Sequence, residues 1–85
     1  MIKSIDVVSS SNIGKIAFEA DEQSKEKGKL FVTFLNNSTY EYTDVPEEVF
    51  SKLSDVNLSG GSVGRAFIEM VKQGGFAYQK VEQPI

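Results

Sequence analysis

The segment Tyr40-Glu41-Tyr42-Thr43-Asp44-Val45-Pro46-Glu47-Glu48-Val49-Phe50 switches hydrophobic period within a few residues. Tyr40 and Tyr42 share one face of a strand, because side chains alternate with period two. Val49, Phe50 and Leu53 then recur at helical spacing. Pro46 suits the first helical turn, where its missing N–H costs nothing. Glu47 and Glu48 lie near the positive end of the helix dipole. A strand running directly into an amphipathic helix leaves few architectures open to a short chain.

The rest follows from pattern. Ile5-Asp6-Val7-Val8 reads as a first strand, and Ser9 to Asn12 as a polar bend whose side chains bond nearby backbone. Gly14 to Ala20 reads as a second strand with Ile16, Phe18 and Ala20 on one face. Asp21 to Gly28 is a solvated loop. Lys29 to Leu35 is the strongest strand, followed by a tight Asn36-Asn37-Ser38 turn and a return strand from Thr39 to Thr43. Helices are expected over about Pro46 to Asp55 and Val63 to Gln73. The second carries a buried stripe of Val63, Phe67, Met70 and Val71, and Gly74-Gly75 ends it. Phe76 to Val81 closes the chain as a strand. The order is strands, helix, helix, strand. It argues an α+β fold, with an antiparallel sheet of four to five strands packed by two helices. With 85 residues there is one domain, 1–85, and one modest core.

The strand from Lys29 to Leu35 is apolar on both sides: Leu30, Val32 and Phe34 on one, Phe31 and Leu35 with Thr33 on the other. Strands of that kind are usually covered on both faces. Two helices can cover one face, so the second face suggests a homo-oligomer. Wrapping by an edge, a terminus or the helix pair is the competing explanation.

Composition excludes whole classes of chemistry. There is no Cys and no His, which removes disulfides, thiolate nucleophiles, Cys/His zinc sites and histidine general bases. Neither a catalytic residue nor a metal site is expected, nor a cofactor. Nine Lys and Arg among twelve acids give a net charge of −3, which disfavours broad capture of RNA or DNA backbone. No apolar run approaches the ~18–20 residues a membrane span requires. The N-terminal residues carry no secretory signal pattern, so a cytoplasmic location is the expectation.

Two sets of residues could bind a ligand. Ser59-Gly60-Gly61-Ser62-Val63-Gly64-Arg65 opens the second helix. The free N–H groups of a helix start attract anions, serine hydroxyls can add to them, and Arg65 offers a planar fork for phosphate or carboxylate. The segment lacks the Walker A ending and the dinucleotide glycine spacing. The plain alternative is a linker in which Ser62 caps the helix and Arg65 lies in solvent. The second set is aromatic: Tyr40, Tyr42, Phe76 and Tyr78 fall on neighbouring strands and could stack a base. Sheet-to-helix packing is its plain alternative. Ser11 and Asn12 of the polar bend are further candidates, against a structural bend. Glu47 and Glu48 are adjacent on a helix and do not converge as a catalytic carboxylate pair would.

Several boxes occur in a definite order: Ser10-Ser11-Asn12-Ile13, a two-strand hairpin, Tyr40-x-Tyr42-x-x-Val45-Pro46, a Ser-x-Gly helix start, and Tyr78-x-x-Val81. In this the chain resembles the KTSC domain family, named from copies at the C-terminus of some lysyl-tRNA synthetases and also found as free-standing bacterial or phage proteins. The resemblance runs from about Ile5 to Val81. Past its Ser-x-Gly the family places an aromatic and an Asn, ahead of an aliphatic matched by Ile68. This chain has Gly64 and Arg65 there, so an aromatic anchor is lost and a cation gained. The resemblance implies a fold more than an activity.

The expected function is that of a non-catalytic binding protein. Its ligand is a phosphorylated small molecule of nucleotide type, held by Ser59, Gly60, Gly61, Ser62 and Arg65 with a tyrosine stacking the base. The occurrence of the family in phages suggests sequestration in phage counter-defence. The alternative is an RNA- or protein-binding adaptor working through the sheet. A third is a protein that mainly self-assembles.

Overall fold

A computed structural model describes residues 2–7, 12–20 and 26–81. Its five strands are β1 (Ile2–Asp6), β2 (Ile13–Ala20), β3 (Lys27–Phe34), β4 (Thr39–Pro46) and β5 (Tyr78–Val81). They form one antiparallel sheet in the order β1-β2-β3-β4-β5. Between β4 and β5 the chain forms α1 (Glu47–Leu58) and α2 (Val63–Phe67), and α2 continues as a π-helical turn (Ile68–Lys72). The architecture is the expected α+β arrangement of strands, helix, helix and strand.

Alternation sorts the sheet into two faces. Ile16 and Phe18 of β2, Leu30 and Val32 of β3, and Tyr42 of β4 point to the helix side, and all are buried. The ring of Phe18 stacks on that of Phe50 in α1, with centroids 5.8 Å apart. Leu53, Val63, Phe67 and Val71 complete the core from the helices. On the opposite face Phe31 sits between Ala17 and Glu41, its cross-strand partners. There Thr33 and Thr39 join hydroxyls at 3.0 Å. This face is therefore mostly polar, and the apolar content expected of it reduces to half-buried Phe31. Leu35 lies just past the strand, 60% exposed.

Several boundaries differ from the sequence expectation, each for a tertiary reason. The first strand is Ile2–Asp6 rather than one starting at Ile5, because its register on β2 pairs Ile2 with Glu19 and Asp6 with Lys15. The bend at Ser9, Ser10 and Ser11 lies outside the described residues. β4 runs on past Thr43, because Asp44 takes φ 57° and absorbs a register shift opposite Gly28 to Leu30. Asp is one of the few residues that tolerates this conformation. Pro46 is extended, with ψ 143°, and precedes α1 rather than opening its first turn.

α1 extends past Asp55 to Leu58 and closes in a Schellman motif. Gly60 N–H donates to Asn57 O at 3.3 Å and Gly61 N–H to Val56 O at 2.9 Å. Gly60, at φ 81°, supplies the left-handed residue this motif needs. α2 does not continue as a regular helix to Gln73. Gln73 N–H bonds to Ile68 O, five residues back, at 3.1 Å. The buried aromatic of this segment is Phe67, 2% exposed, as its place in the apolar stripe implies.

Candidate functional site

The return of β5 beside β4 builds a cleft at the C-terminal end of the second helical unit. Its volume is about 600 Å³, within the ~300–1,000 Å³ usual for small-ligand sites. Phe34 comes from β3, Tyr40 and Tyr42 from β4, Tyr78 from β5, and Val71 and Lys72 from the π turn. Asn36, Ser38 and Phe76 complete the wall.

The rings close on themselves. Tyr78 lies 5.3 Å from Tyr42, Tyr42 lies 5.5 Å from Phe67, and Phe67 lies 6.1 Å from Phe34. Phe34 lies 5.8 Å from Tyr40, and Tyr40 lies 6.2 Å from Tyr78. These are favourable aromatic separations, and the circuit is a direct result of register. Tyr42 pairs with Leu30 on one side and Tyr78 on the other, while Tyr40 pairs with Val32 and Lys80. Depth is graded around the circuit: Tyr42 is 4% exposed and Tyr78 64%. Burial, then the neighbouring phenols of Tyr78 and Tyr40, raises the pKa of Tyr42 above its ordinary value. It is therefore a neutral phenol at physiological pH.

The tight turn between β3 and β4 sets the polar rim. Asn37 takes φ 69°, and Ser38 N–H donates to Asn36 Oδ1 at 3.0 Å. Among the described residues no acidic side chain lines the cleft, and Lys72 is the one charged side chain that does. Among the described residues Lys72 is in none of the ion pairs, which join Lys3 to Glu47, Lys29 to Glu41 and Lys52 to Glu48.

The structure brings Tyr40, Tyr42 and Tyr78 together but leaves the glycine-rich segment elsewhere. That segment sits at the start of the helical unit whose far end lines the cleft. Several of its polar groups already have partners within the chain. Ser59 Oγ donates to Val56 O at 3.1 Å, and Ser62 Oγ accepts from Arg65 N–H at 3.2 Å. Gly60 and Gly61 direct their N–H groups to the end of α1. Arg65 is exposed and outside the cleft. The main-chain carbonyl of Asn12 accepts from Leu35 N–H at 2.8 Å, and the residue borders a separate recess with Phe34, Leu35 and Asn36. Ser11 lies outside the described residues.

Phe34, Asn36, Ser38 and Lys72 were not singled out as site residues by the sequence. Phe34 could have been, since it shares a face with Tyr40 across a short turn. Lys72 carries no such signal. No group of three or more potential metal ligands occurs among the described residues. No helix among them is long and apolar enough to cross a membrane.

Comparison with known proteins adds the following. The family model of the KTSC domain matches residues 9–76. The chain is similar to the crystal structure of a KTSC domain protein from Yersinia pestis, with a TM-score of 0.70 and 29% identity. The match covers 96% of this chain and 100% of that one. No curated protein gives a significant match.

Proposed function

The chain belongs to the KTSC domain family, and we propose that it is a non-catalytic small-molecule binding protein whose ligand inserts a flat ring into the aromatic cleft. The observation that carries this is that Phe34, Tyr40, Tyr42 and Tyr78 line one concave opening, linked ring to ring with buried Phe67. Stacking on aromatic faces tolerates any base, at ~1–3 kcal/mol per ring contact. Asn36 and Ser38 add neutral hydrogen-bonding groups at the rim. A nucleotide-type ligand fits this mixture, and sequestration is the role such a protein would perform without chemistry.

Calorimetry against a panel of nucleosides and nucleotides tests the proposal. Tyr78→Ala should weaken binding about ten-fold, because Tyr78 is the exposed wall of the circuit. Wild-type affinity in that variant would remove the cleft from the site.

An adaptor that binds RNA or protein is the second reading. What favours it is the 64% exposure of Tyr78 on the edge strand β5, an available edge for an extended partner. The net charge of −3 opposes RNA. Titration with single-stranded RNA at two salt concentrations separates the two readings.

A further inference from the structure

The π turn gives the cleft its cation. In a regular α-helix each residue advances roughly 100°, so Lys72 would lie roughly 140° around the axis from buried Phe67, nearly opposite the core. A turn closed by i→i+5 bonds advances roughly 80–85° per residue, which puts Lys72 only roughly 50° from Phe67. Val71 lies on the core face in either geometry and is 1% exposed, and Lys72 is found lining the cleft.

The carbonyls at this helix end would repel an anion if left open. Two are occupied: Ile68 O accepts from Gln73 N–H at 3.1 Å and Val71 O from Gly74 N–H at 3.2 Å. Among the described residues Lys72 is thus the single charge lining an otherwise neutral aromatic cleft, and it is in none of the ion pairs.

We infer that Lys72, swung to the cleft by the π turn, holds the phosphate of a singly phosphorylated ligand whose ring stacks on the tyrosines. The inference rests on the aromatic-cleft function proposed above and adds the ligand's charge. One cation on a protein of net charge −3 matches one phosphate. A triphosphate gains no second cation among the described lining residues and is repelled by the net negative charge of the rest of the protein.

The test is calorimetry with adenosine, guanosine, cytidine and uridine and with their 5′-monophosphates. For the base that binds, the monophosphate should bind about ten- to one-hundred-fold tighter than its nucleoside, the effect of one charge-assisted contact. Lys72→Ala should remove the monophosphate's advantage, bringing the ratio of nucleoside to monophosphate Kd from that factor down to about one. The double variant Lys72→Gln/Gln73→Lys preserves net charge and should not recover the lost affinity. Recovery by that variant would show that position is irrelevant and overturn the role of the π turn. Equal affinity of nucleoside and monophosphate in the wild type would overturn the phosphate contact while leaving the cleft as a ring-binding site. Binding of neither series would overturn the cleft function and this inference with it.

Discussion

Gln79 Nε2 donates to Glu41 Oε2 at 2.9 Å across the seam between β4 and β5. Lys29 Nζ meets the other carboxylate oxygen at 3.1 Å from β3. Glu41 is 6% exposed, so three strands are tied by one buried carboxylate on the face away from the helices. The hydrogen bond from Gln79 and the nearby Lys29 ammonium together outweigh burial, and the pKa of Glu41 is lowered.

Glu41 should therefore make stability pH-dependent on the acid side. A pKa lower in the folded state means that the unfolded chain binds more protons, so stability rises with pH. The contribution is present above the unfolded value, about pH 4.3, and is lost as pH falls through the folded value. Glu41→Gln should cost on the order of 1.5 kcal/mol at pH 7. Its difference from the wild type should shrink as the pH is lowered below about 4. Denaturant melts at pH 7, 5 and 3.5 measure this. A constant difference across that series would show that the carboxylate charge is not what ties the strands.

Core truncations should rank by depth. Phe67, 2% exposed, meets both Phe34 and Tyr42, and Phe50, 6% exposed, stacks on Phe18. Phe67→Ala and Phe50→Ala should each cost ~3–5 kcal/mol. Tyr40 is only half-buried at the cleft wall, and Tyr40→Ala should cost clearly less. Chemical denaturation of the three variants gives the order. Equal loss for all three would place Tyr40 in the core rather than at the cleft.

The glycine-rich segment should behave as two helix caps. Ser62→Ala removes the acceptor for Arg65 N–H and should cost ~0.5–2 kcal/mol. Arg65→Ala should change stability by no more than ~0.5 kcal/mol. Neither should alter affinity for a ligand that needs the cleft. Thermal melts paired with calorimetry check both effects. A ligand whose binding collapses in Arg65→Ala but survives Tyr78→Ala would move the site to the start of α2.

These contrasts show where the sequence was legible. Leu30 and Val32, with Ile16 and Phe18, announce the buried face by alternation alone. Asn37 and Ser62 announce a turn and a cap by their local hydrogen-bonding chemistry. What depends on distant partners left no local trace. Asp44 becomes left-handed to reconcile β4 with β3. Gly60 and Gly61 look like an anion loop, and only the geometry of α1 shows their N–H groups turned back on Val56 and Asn57. Lys72 is the sharpest case: helical periodicity assigns it to solvent, and one widened turn brings it to the cleft.

Gly74 and Gly75 follow that widened turn, and they should respond differently to alanine. A Cβ on Gly74 would lie 2.7 Å from the carbonyl oxygen of Met70 and 2.8 Å from the ring of Phe76. Backbone cannot yield as a flexible side chain can, so Gly74→Ala must displace the π turn, Phe76 or both. A Cβ on Gly75 meets nothing within 4 Å, but the residue sits at φ 75°, where an L-residue is strained by ~1–2 kcal/mol. Gly75→Ala should thus lower stability by about that amount and leave ligand affinity unchanged. Gly75→Asn should recover part of the loss, since Asn tolerates this conformation. Gly74→Ala should weaken ligand binding as well, because Phe76 and Lys72 both line the cleft. Calorimetry and melts on the three variants distinguish the effects. Full ligand affinity in a folded Gly74→Ala protein would show that the cleft does not depend on the seating of Phe76 and the π turn.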